Sequence, residues 1–188
     1  NLLCVIAVML ALGYKLSDIV SRLQSVQPVT GRLERCGSAL NDINVFVDYA
    51  HTPDALYRVL VSLRKHCQQS LWLVFGCGGN RDTGKRPQMG AIAEQWADKV
   101  IVTDDNPRFE DNHAIAKEIL SGCNLDKATL IQDRKAAINH AIANAAKDDC
   151  IVIAGKGHED YQEINGVQYP FNDRLIAEEA LRNRSAIQ

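Results

Sequence analysis

The chain has 188 residues and a formal net charge of −2, with acidic and basic residues mixed along its length. That length suffices for one domain with a substantial core, or for one domain with part of another. Because Lys and Arg form no long run, the composition argues against a nucleic acid or a membrane surface as partner. The six cysteines are scattered without paired spacing, which is typical of proteins in the reducing cytoplasm.

The first predicted elements are helical. Residues 2–13 are almost all apolar, but they are too few to cross a bilayer, which takes about 20 residues, and no basic segment precedes them. We therefore expect a buried helix over residues 2–12 and a second helix over 16–24. A linker is predicted at residues 27–31, which contain Pro28 and Gly31. An opening of this kind suggests a segment cut from a longer protein.

From residue 45 onward, predicted strands alternate with predicted helices. Strands are expected at 45–49, 71–75, 99–103, 128–131 and 150–154, and helices are expected to start near residues 53, 87, 113, 134 and 172. Thr52 is a suitable N-cap before Pro53. Asn165-Gly166 suits the turn of a hairpin over 163–171. The order predicts an α/β fold with an open, mostly parallel, doubly wound (Rossmann-like) sheet and helices on both faces.

Polar side chains are concentrated where four of these strands end. The loops are 48–54, 76–87, 103–108 and 155–161, and the carboxyl ends of parallel strands open onto the crevice where ligands bind. In the third loop, Pro107 stiffens a turn that offers carboxylate, amide and guanidinium groups. That set suits a ligand carrying both an ammonium and a carboxylate. The alternative is that these residues only cap turns and helices.

The second loop has a spacing that invites a different interpretation. Gly79, Gly84 and Lys85 follow the spacing of a phosphate-binding loop, but Arg86 stands where a Mg²⁺-binding Ser or Thr is required. We interpret the segment instead as a flexible loop that brings Arg81 to an anionic ligand. The sequence shows no cluster with metal-ligand spacing and no nucleophile–base motif.

Taken together, four motifs resemble the Mur ligases of peptidoglycan synthesis, in particular the members that add meso-diaminopimelate. They are Asp48-Tyr-Ala-His-Thr-Pro-Asp54, Phe75-Gly-Cys-Gly-Gly-Asn-Arg-Asp82, Asp105-Asn-Pro-Arg108 and Gly155-Lys-Gly-His-Glu-Asp-Tyr-Gln162. The resemblance covers nearly the whole chain. It implies that residues 1–28 are the last helices of a central ATPase domain and that 29–188 form the C-terminal ligase domain.

The resemblance also implies a chemistry. Such enzymes use ATP and Mg²⁺ in the cytoplasm to phosphorylate the carboxylate of UDP-N-acetylmuramoyl-L-Ala-D-Glu, and the amine of the amino acid attacks the acyl phosphate. By similarity, the residues facing meso-diaminopimelate are Arg81, Asp105, Asn106, Pro107, Arg108, Gly155 and Glu159. Those facing the nucleotide are Arg32, Asp48 and His51. Arg108 and Arg81 are expected to pair with the distal carboxylate, and Glu159 and Asn106 to accept the distal ammonium.

Two further expectations follow from the sequence. It lacks the Gly-x-x-Gly-Lys-Thr loop of the central domain, so we expect this chain alone not to catalyse ligation. The alternatives are a non-catalytic nucleotide- or amino-acid-binding module, and a lysine-adding or folylpolyglutamate-type ligase domain. Arg108 favours diaminopimelate over lysine, because the lysine-adding relatives usually lack this arginine.

Overall fold

A computed structural model of the chain describes residues 2–23, 25–26, 29–38, 41–123 and 126–186. Six strands form one sheet in the order β1-β2-β6-β3-β4-β5. Their bounds are Glu34–Cys36 (β1), Asn44–Asp48 (β2), Leu71–Phe75 (β3), Lys99–Val102 (β4), Ala128–Leu130 (β5) and Cys150–Ala154 (β6). β1 pairs antiparallel with β2, and the other four neighbouring pairs are parallel. The predicted open, mostly parallel sheet is confirmed.

Seven helices and a hairpin complete the described chain. The helices are Leu2–Ala11 (α1), Leu16–Leu23 (α2), Pro53–Arg64 (α3), Lys85–Trp96 (α4), Asn112–Leu120 (α5), Arg134–Asn144 (α6) and Asp173–Ser185 (α7). The hairpin consists of Tyr161–Ile164 (β7) and Val167–Pro170 (β8). Asn165 and Gly166 join the two strands with φ values of +51° and +77°, which is the turn geometry that this residue pair predicts.

The sheet is covered on both faces, so alternate residues of each strand enter different cores. On one face, Leu73 and Phe75 of β3 pack with α3, α4 and α5, for example with Leu60 and Met89. On the other face, Trp72 and Val74 pack with α6 and α7, for example with Ile138. The predicted doubly wound arrangement is therefore confirmed.

Local sequence signals explain most element boundaries. Thr52 caps α3 as predicted, with its hydroxyl accepting a hydrogen bond from the Ala55 N–H, and Pro53 is the first helical residue. α4 starts at Lys85, two residues before the predicted Pro87, because proline is tolerated within the first turn of a helix. The sequence pattern does not predict β1, whose three residues carry too little periodicity to be recognised.

The expectation of a buried first helix is wrong. None of the residues of α1 is buried, and Leu3 and Val8 are 80% and 58% exposed. The apolar composition indicates a helix that can be buried, but burial needs a second layer, and neither core includes a residue of α1.

The predicted linker and the end of the second helix fall partly outside the described residues, which omit 24, 27 and 28. Within the described ranges, no helix combines the length and apolar character needed to cross a bilayer. The six cysteines are all free thiols.

Candidate ligand-binding site

The four polar loops meet at one end of the sheet. They follow β2, β3, β4 and β6, and together they surround a cavity of about 430 Å³. The cavity is lined by Tyr49, His51, Thr52, Gly78, Arg81, Asp82, Lys85, Asp105, Asn106, Arg108, Gly155, Glu159 and Tyr161. The prediction that parallel topology gathers these loops at a single crevice is confirmed.

The charges of the cavity balance. Three lining side chains are cationic and three are anionic, namely Arg81, Lys85, Arg108, Asp82, Asp105 and Glu159. A crevice of one sign attracts ligands of the opposite sign, whereas interspersed charges suit a ligand that carries both. The lining therefore fits a zwitterionic ligand such as an amino acid.

Arg108 is held at the cavity wall by two acceptors. Its Nε donates to Glu163 Oε2 at 3.0 Å, and its Nη1 donates to the Gly79 carbonyl at 2.8 Å. Within the described chain, Nη2 has no hydrogen-bond partner, which leaves donors for a carboxylate.

Pro107 precedes Arg108 in the loop and does not line the cavity. The Pro107 carbonyl oxygen would lie 2.0 Å from a Cβ at position 79, so the second and third loops approach closely only because residue 79 is glycine.

The Asn106 amide is fully engaged with its neighbours. Its oxygen accepts hydrogen bonds from Lys156 Nζ at 2.8 Å and from the Glu163 N–H at 2.9 Å. Its Nδ2 donates to Glu159 Oε2 at 2.9 Å. A carbonyl oxygen has two lone pairs, so none remains for the ammonium that Asn106 was expected to accept. Of the two groups expected to accept the ammonium, only the Glu159 carboxylate keeps free lone pairs, and Asn106 orients it through Nδ2.

Lys156 is a fully buried cation beneath the cavity, and sequence reasoning assigned it no role. Besides Asn106, its Nζ lies 3.6 Å from Asp105 Oδ1 and 3.6 Å from Glu159 Oε2. Burial lowers the pKa of this amine from its ordinary value, and the nearby Asp105 carboxylate opposes the change. The sequence signal that could have identified Lys156 is its position between two glycines directly after a buried strand.

Gly155 allows two site loops to touch. Its φ is +116°, and a Cβ there would lie 2.7 Å from Asp105 Oδ2. Any other residue would be strained at this φ and would displace the carboxylate. The predicted place of Gly155 in the pocket thus has a steric basis.

Arg81 is exposed and lines the cavity. Among the described residues it has no ion-pair or hydrogen-bond partner. Its guanidinium is therefore free to approach an anionic group at the mouth of the cavity.

The three residues assigned to a nucleotide differ in availability. Asp48 is buried, and its two oxygens accept hydrogen bonds from the Ala50 and Leu33 N–H groups, each at 2.7 Å. Arg32 is exposed, with its guanidinium 4.6 Å from the centre of the Tyr49 ring. The Nδ1 of His51 contacts the Tyr49 carbonyl at 2.8 Å, so Nε2 remains available. The geometry fits Arg32 and His51 to a ligand better than Asp48, which holds its own loop together.

The segment with phosphate-loop spacing has a structural role. Arg86 is fully buried, and its guanidinium forms ion pairs with Glu110 and Glu118, each at 2.9 Å. Lys85 donates to the His51 carbonyl at 2.7 Å, joining the first and second loops. The interpretation of this segment as something other than a phosphate loop agrees with these contacts.

No group of three or more metal-binding side chains occurs within the described ranges. The site is an open crevice at the carboxyl ends of the parallel strands of an α/β domain, the place where strand-end loops of such domains form ligand sites.

Comparison with protein families shows to which family the chain belongs. A family model described as "Mur ligase, glutamate ligase domain" matches residues 31–157, more than half of the chain. The chain belongs to this Mur ligase family.

Among the curated proteins similar to this chain are several named UDP-N-acetylmuramoyl-L-alanyl-D-glutamate–2,6-diaminopimelate ligase. The protein from Pseudomonas aeruginosa is 53% identical over 96% of this chain, and the one from Xanthomonas oryzae is 53% identical over all of it. This chain spans only 37% and 38% of those two proteins.

Solved structures agree with the fold. A structure of a ligase with the same name superimposes with a TM-score of 0.79 at 40% identity, covering 96% of this chain and 37% of that one. A UDP-N-acetylmuramate–alanine ligase from Thermotoga maritima superimposes with a TM-score of 0.67 at 18% identity, over all of this chain and 37% of that one. At 18% identity, the second structure shows only that the two proteins share a fold.

Proposed function

We propose that this chain is the amino-acid-binding part of an ATP-dependent ligase that adds meso-diaminopimelate to UDP-N-acetylmuramoyl-L-Ala-D-Glu. The observation that carries the proposal is the charge-balanced cavity, which contains Arg81 and Arg108 together with Glu159. Meso-diaminopimelate differs from lysine by a carboxylate beside the distal ammonium. A site that selects it therefore needs cations and an anion side by side.

Five residues of the cavity then have a proposed task. Arg108 and Arg81 bind the distal carboxylate, and Glu159 accepts the distal ammonium. Asn106 holds the Glu159 carboxylate through its Nδ2. Gly155 lets the Asp105 loop close against the loop that carries Glu159. Together they orient the amino acid so that its other, reacting amine points away from the bound distal end.

ATP supplies the phosphoryl group that activates the acceptor carboxylate. In this chain, Arg32 and His51 are the residues we propose to face the nucleotide, because both have an unengaged polar group near the crevice. Asp48 supports the loop between them through its two backbone hydrogen bonds. The Mg²⁺ that such an enzyme uses is proposed to be held by residues of the ATPase domain.

The proposal extends to organisation and location. We propose that residues 1–28 belong to a preceding ATPase domain and that residues 29–188 form the ligase domain. An enzyme using ATP and a UDP-linked precursor is expected in the cytoplasm.

A graft tests the function directly. The 188-residue chain replaces the matching segment of the Pseudomonas aeruginosa relative, and ADP release is measured with UDP-N-acetylmuramoyl-L-Ala-D-Glu and either meso-diaminopimelate or L-lysine. We expect turnover with meso-diaminopimelate, at least about tenfold less with lysine, and none with the chain alone. A tenfold preference corresponds to about 1.4 kcal/mol, less than one well-placed charge pair contributes.

The possible results distinguish the proposed function from its alternatives. Turnover with lysine in preference to meso-diaminopimelate would assign the chain to a lysine-adding ligase. A folded graft that uses neither amino acid would favour a non-catalytic binding module. ADP release by the chain alone would show that the phosphate-binding apparatus is present after all.

A further inference from the structure

We infer that Glu163, on β7, is a positioning residue that aims the Arg108 guanidinium into the cavity and so sets the preference for a distal carboxylate. The identity of the ligand rests on the proposed function. The positioning itself rests on contacts within this chain.

Glu163 holds the site loop through three of its groups. Its Oε2 accepts a hydrogen bond from Arg108 Nε at 3.0 Å, and its carbonyl accepts one from the Arg108 N–H at 3.0 Å. Its own N–H donates to the Asn106 amide oxygen at 2.9 Å. The two charged side chains are 17% and 22% exposed, so water screens this pair less than a surface pair. One hairpin residue thus fixes both the backbone and the side chain of Arg108.

The backbone of Arg108 requires this support. Its φ is +53°, in the left-handed region that is unfavourable for a residue with a Cβ. The Arg108 N–H donates to Glu163, and the Arg108 carbonyl accepts a hydrogen bond from the Asn165 N–H at 2.6 Å. Arg108 also forms an isolated parallel bridge with Ile164. A residue stays in such a conformation only where its surroundings hold it. The hairpin provides that hold.

The direction of the guanidinium follows from its anchors. Glu163 takes Nε and the Gly79 carbonyl takes Nη1, so the plane of the group is fixed and further N–H donors remain for a ligand. If Glu163 is shortened to alanine, only the Gly79 anchor remains on the side chain. The guanidinium can then rotate away, and the ligand carboxylate must order it on binding.

The first experiment examines the free chain and does not depend on the ligand. ¹⁵N NMR follows the Nε–H signal of Arg108 and its exchange with water in the full 188-residue chain. We expect a protected signal that exchanges at least about tenfold faster in Glu163→Ala. Glu163→Gln should keep the protection, because its amide oxygen can accept the same bond. Gln168→Ala is the matched control, since Gln168 pairs with Glu163 across the hairpin. An unchanged signal in Glu163→Ala would overturn the inference.

The second experiment measures specificity by calorimetry with meso-diaminopimelate and L-lysine. We expect Glu163→Ala to weaken binding of meso-diaminopimelate by about tenfold or more and that of lysine by less than about twofold. Glu163→Gln should restore most of the affinity. In an Arg108→Ala background, Glu163→Ala should cost nothing further, because the two residues act as a unit. Equal losses for both amino acids, or additive losses, would show a merely structural role and overturn the inference.

The two experiments separate the two claims. If the Arg108 signal depends on Glu163 but the chain does not bind meso-diaminopimelate, the ligand assignment fails and the positioning role stands. If the signal is independent of Glu163, the inference fails whatever the calorimetry gives.

Discussion

At Arg108, a left-handed backbone, an ion pair and the wall of a charged cavity coincide. Its motif, Asp-Asn-Pro-Arg, carries the resemblance to diaminopimelate-adding ligases, and its donors face a space that also contains Glu159. In the proposed binding mode, specificity depends on the Arg108 guanidinium together with that of Arg81, and the direction of Arg108 is set by its neighbours.

Arg108→Ala is expected to weaken binding of meso-diaminopimelate by about 30-fold or more. Removing one partner of a largely desolvated charge pair costs roughly 2–5 kcal/mol, and about 2 kcal/mol corresponds to 30-fold in affinity. Calorimetry on the chain and on the variant measures the change. Arg58→Ala is the control, because Arg58 pairs with Asp54 on the exposed surface of α3. Equal affinities in Arg108→Ala and the unmodified chain would contradict the proposed binding mode.

At the scale of elements, α6 and α7 are joined by an ion pair that sequence reasoning missed. Arg134 and Asp173 are both fully buried, and two hydrogen bonds of 2.8 Å link them. Arg134 also donates to the carbonyls of Asp104 and Ala154, which stand where β4 and β6 end. The pair therefore supports the floor of the site from the face of the sheet opposite α3, α4 and α5.

Asp173→Ala is expected to lower the free energy of unfolding by about 3–5 kcal/mol. The substitution leaves the Arg134 charge buried without its partner, which costs far more than loss of a surface pair. Urea denaturation measures it, with Glu179→Ala as the control in the same helix, because Glu179 pairs with Lys135 where both are about half exposed. The control should lose no more than about 1 kcal/mol. Similar losses in both variants would show that burial of the pair is unimportant.

At the scale of the whole molecule, buried thiols contribute to the response to alkaline pH. Burial raises the pKa of Cys36 and Cys77 from 9.0 to about 12, and that of Cys123 to about 11. Between these values the unfolded chain loses thiol protons that the folded chain retains. The stabilisation is fully present below pH 9 and is lost as the pH rises toward 12. Lys156 works in the opposite direction, because its folded pKa is lowered from 10.5.

The free energy of unfolding should therefore fall between pH 8 and pH 10, and Cys77→Ala should reduce that fall by about 1 kcal/mol. Urea denaturation at the two pH values, under reducing conditions, measures both. Cys4→Ala is the control, since Cys4 is exposed on α1. If Cys77→Ala and Cys4→Ala show the same pH dependence, the buried thiol does not contribute.

The sequence by itself determined the class of fold and the edge of the sheet at which the polar loops gather. The apolar runs of β3 and β6, the cap at Thr52 and the Asn165-Gly166 turn are local signals, and local physics decides them. Polar residues after four strands indicated the crevice, because parallel topology places all carboxyl ends at one edge.

Tertiary structure decided which polar groups are free and which are engaged. The Asn106 oxygen is fully engaged by Lys156 and Glu163, and each Asp48 oxygen accepts a hydrogen bond from a backbone N–H of its own part of the fold. The exposure of α1 could not be predicted from the sequence either. The apolar residues of a helix show which surface can be buried, but they do not show which other element covers it. Hydrogen-bond partners and covering layers come from residues distant in the chain, and no local pattern records them.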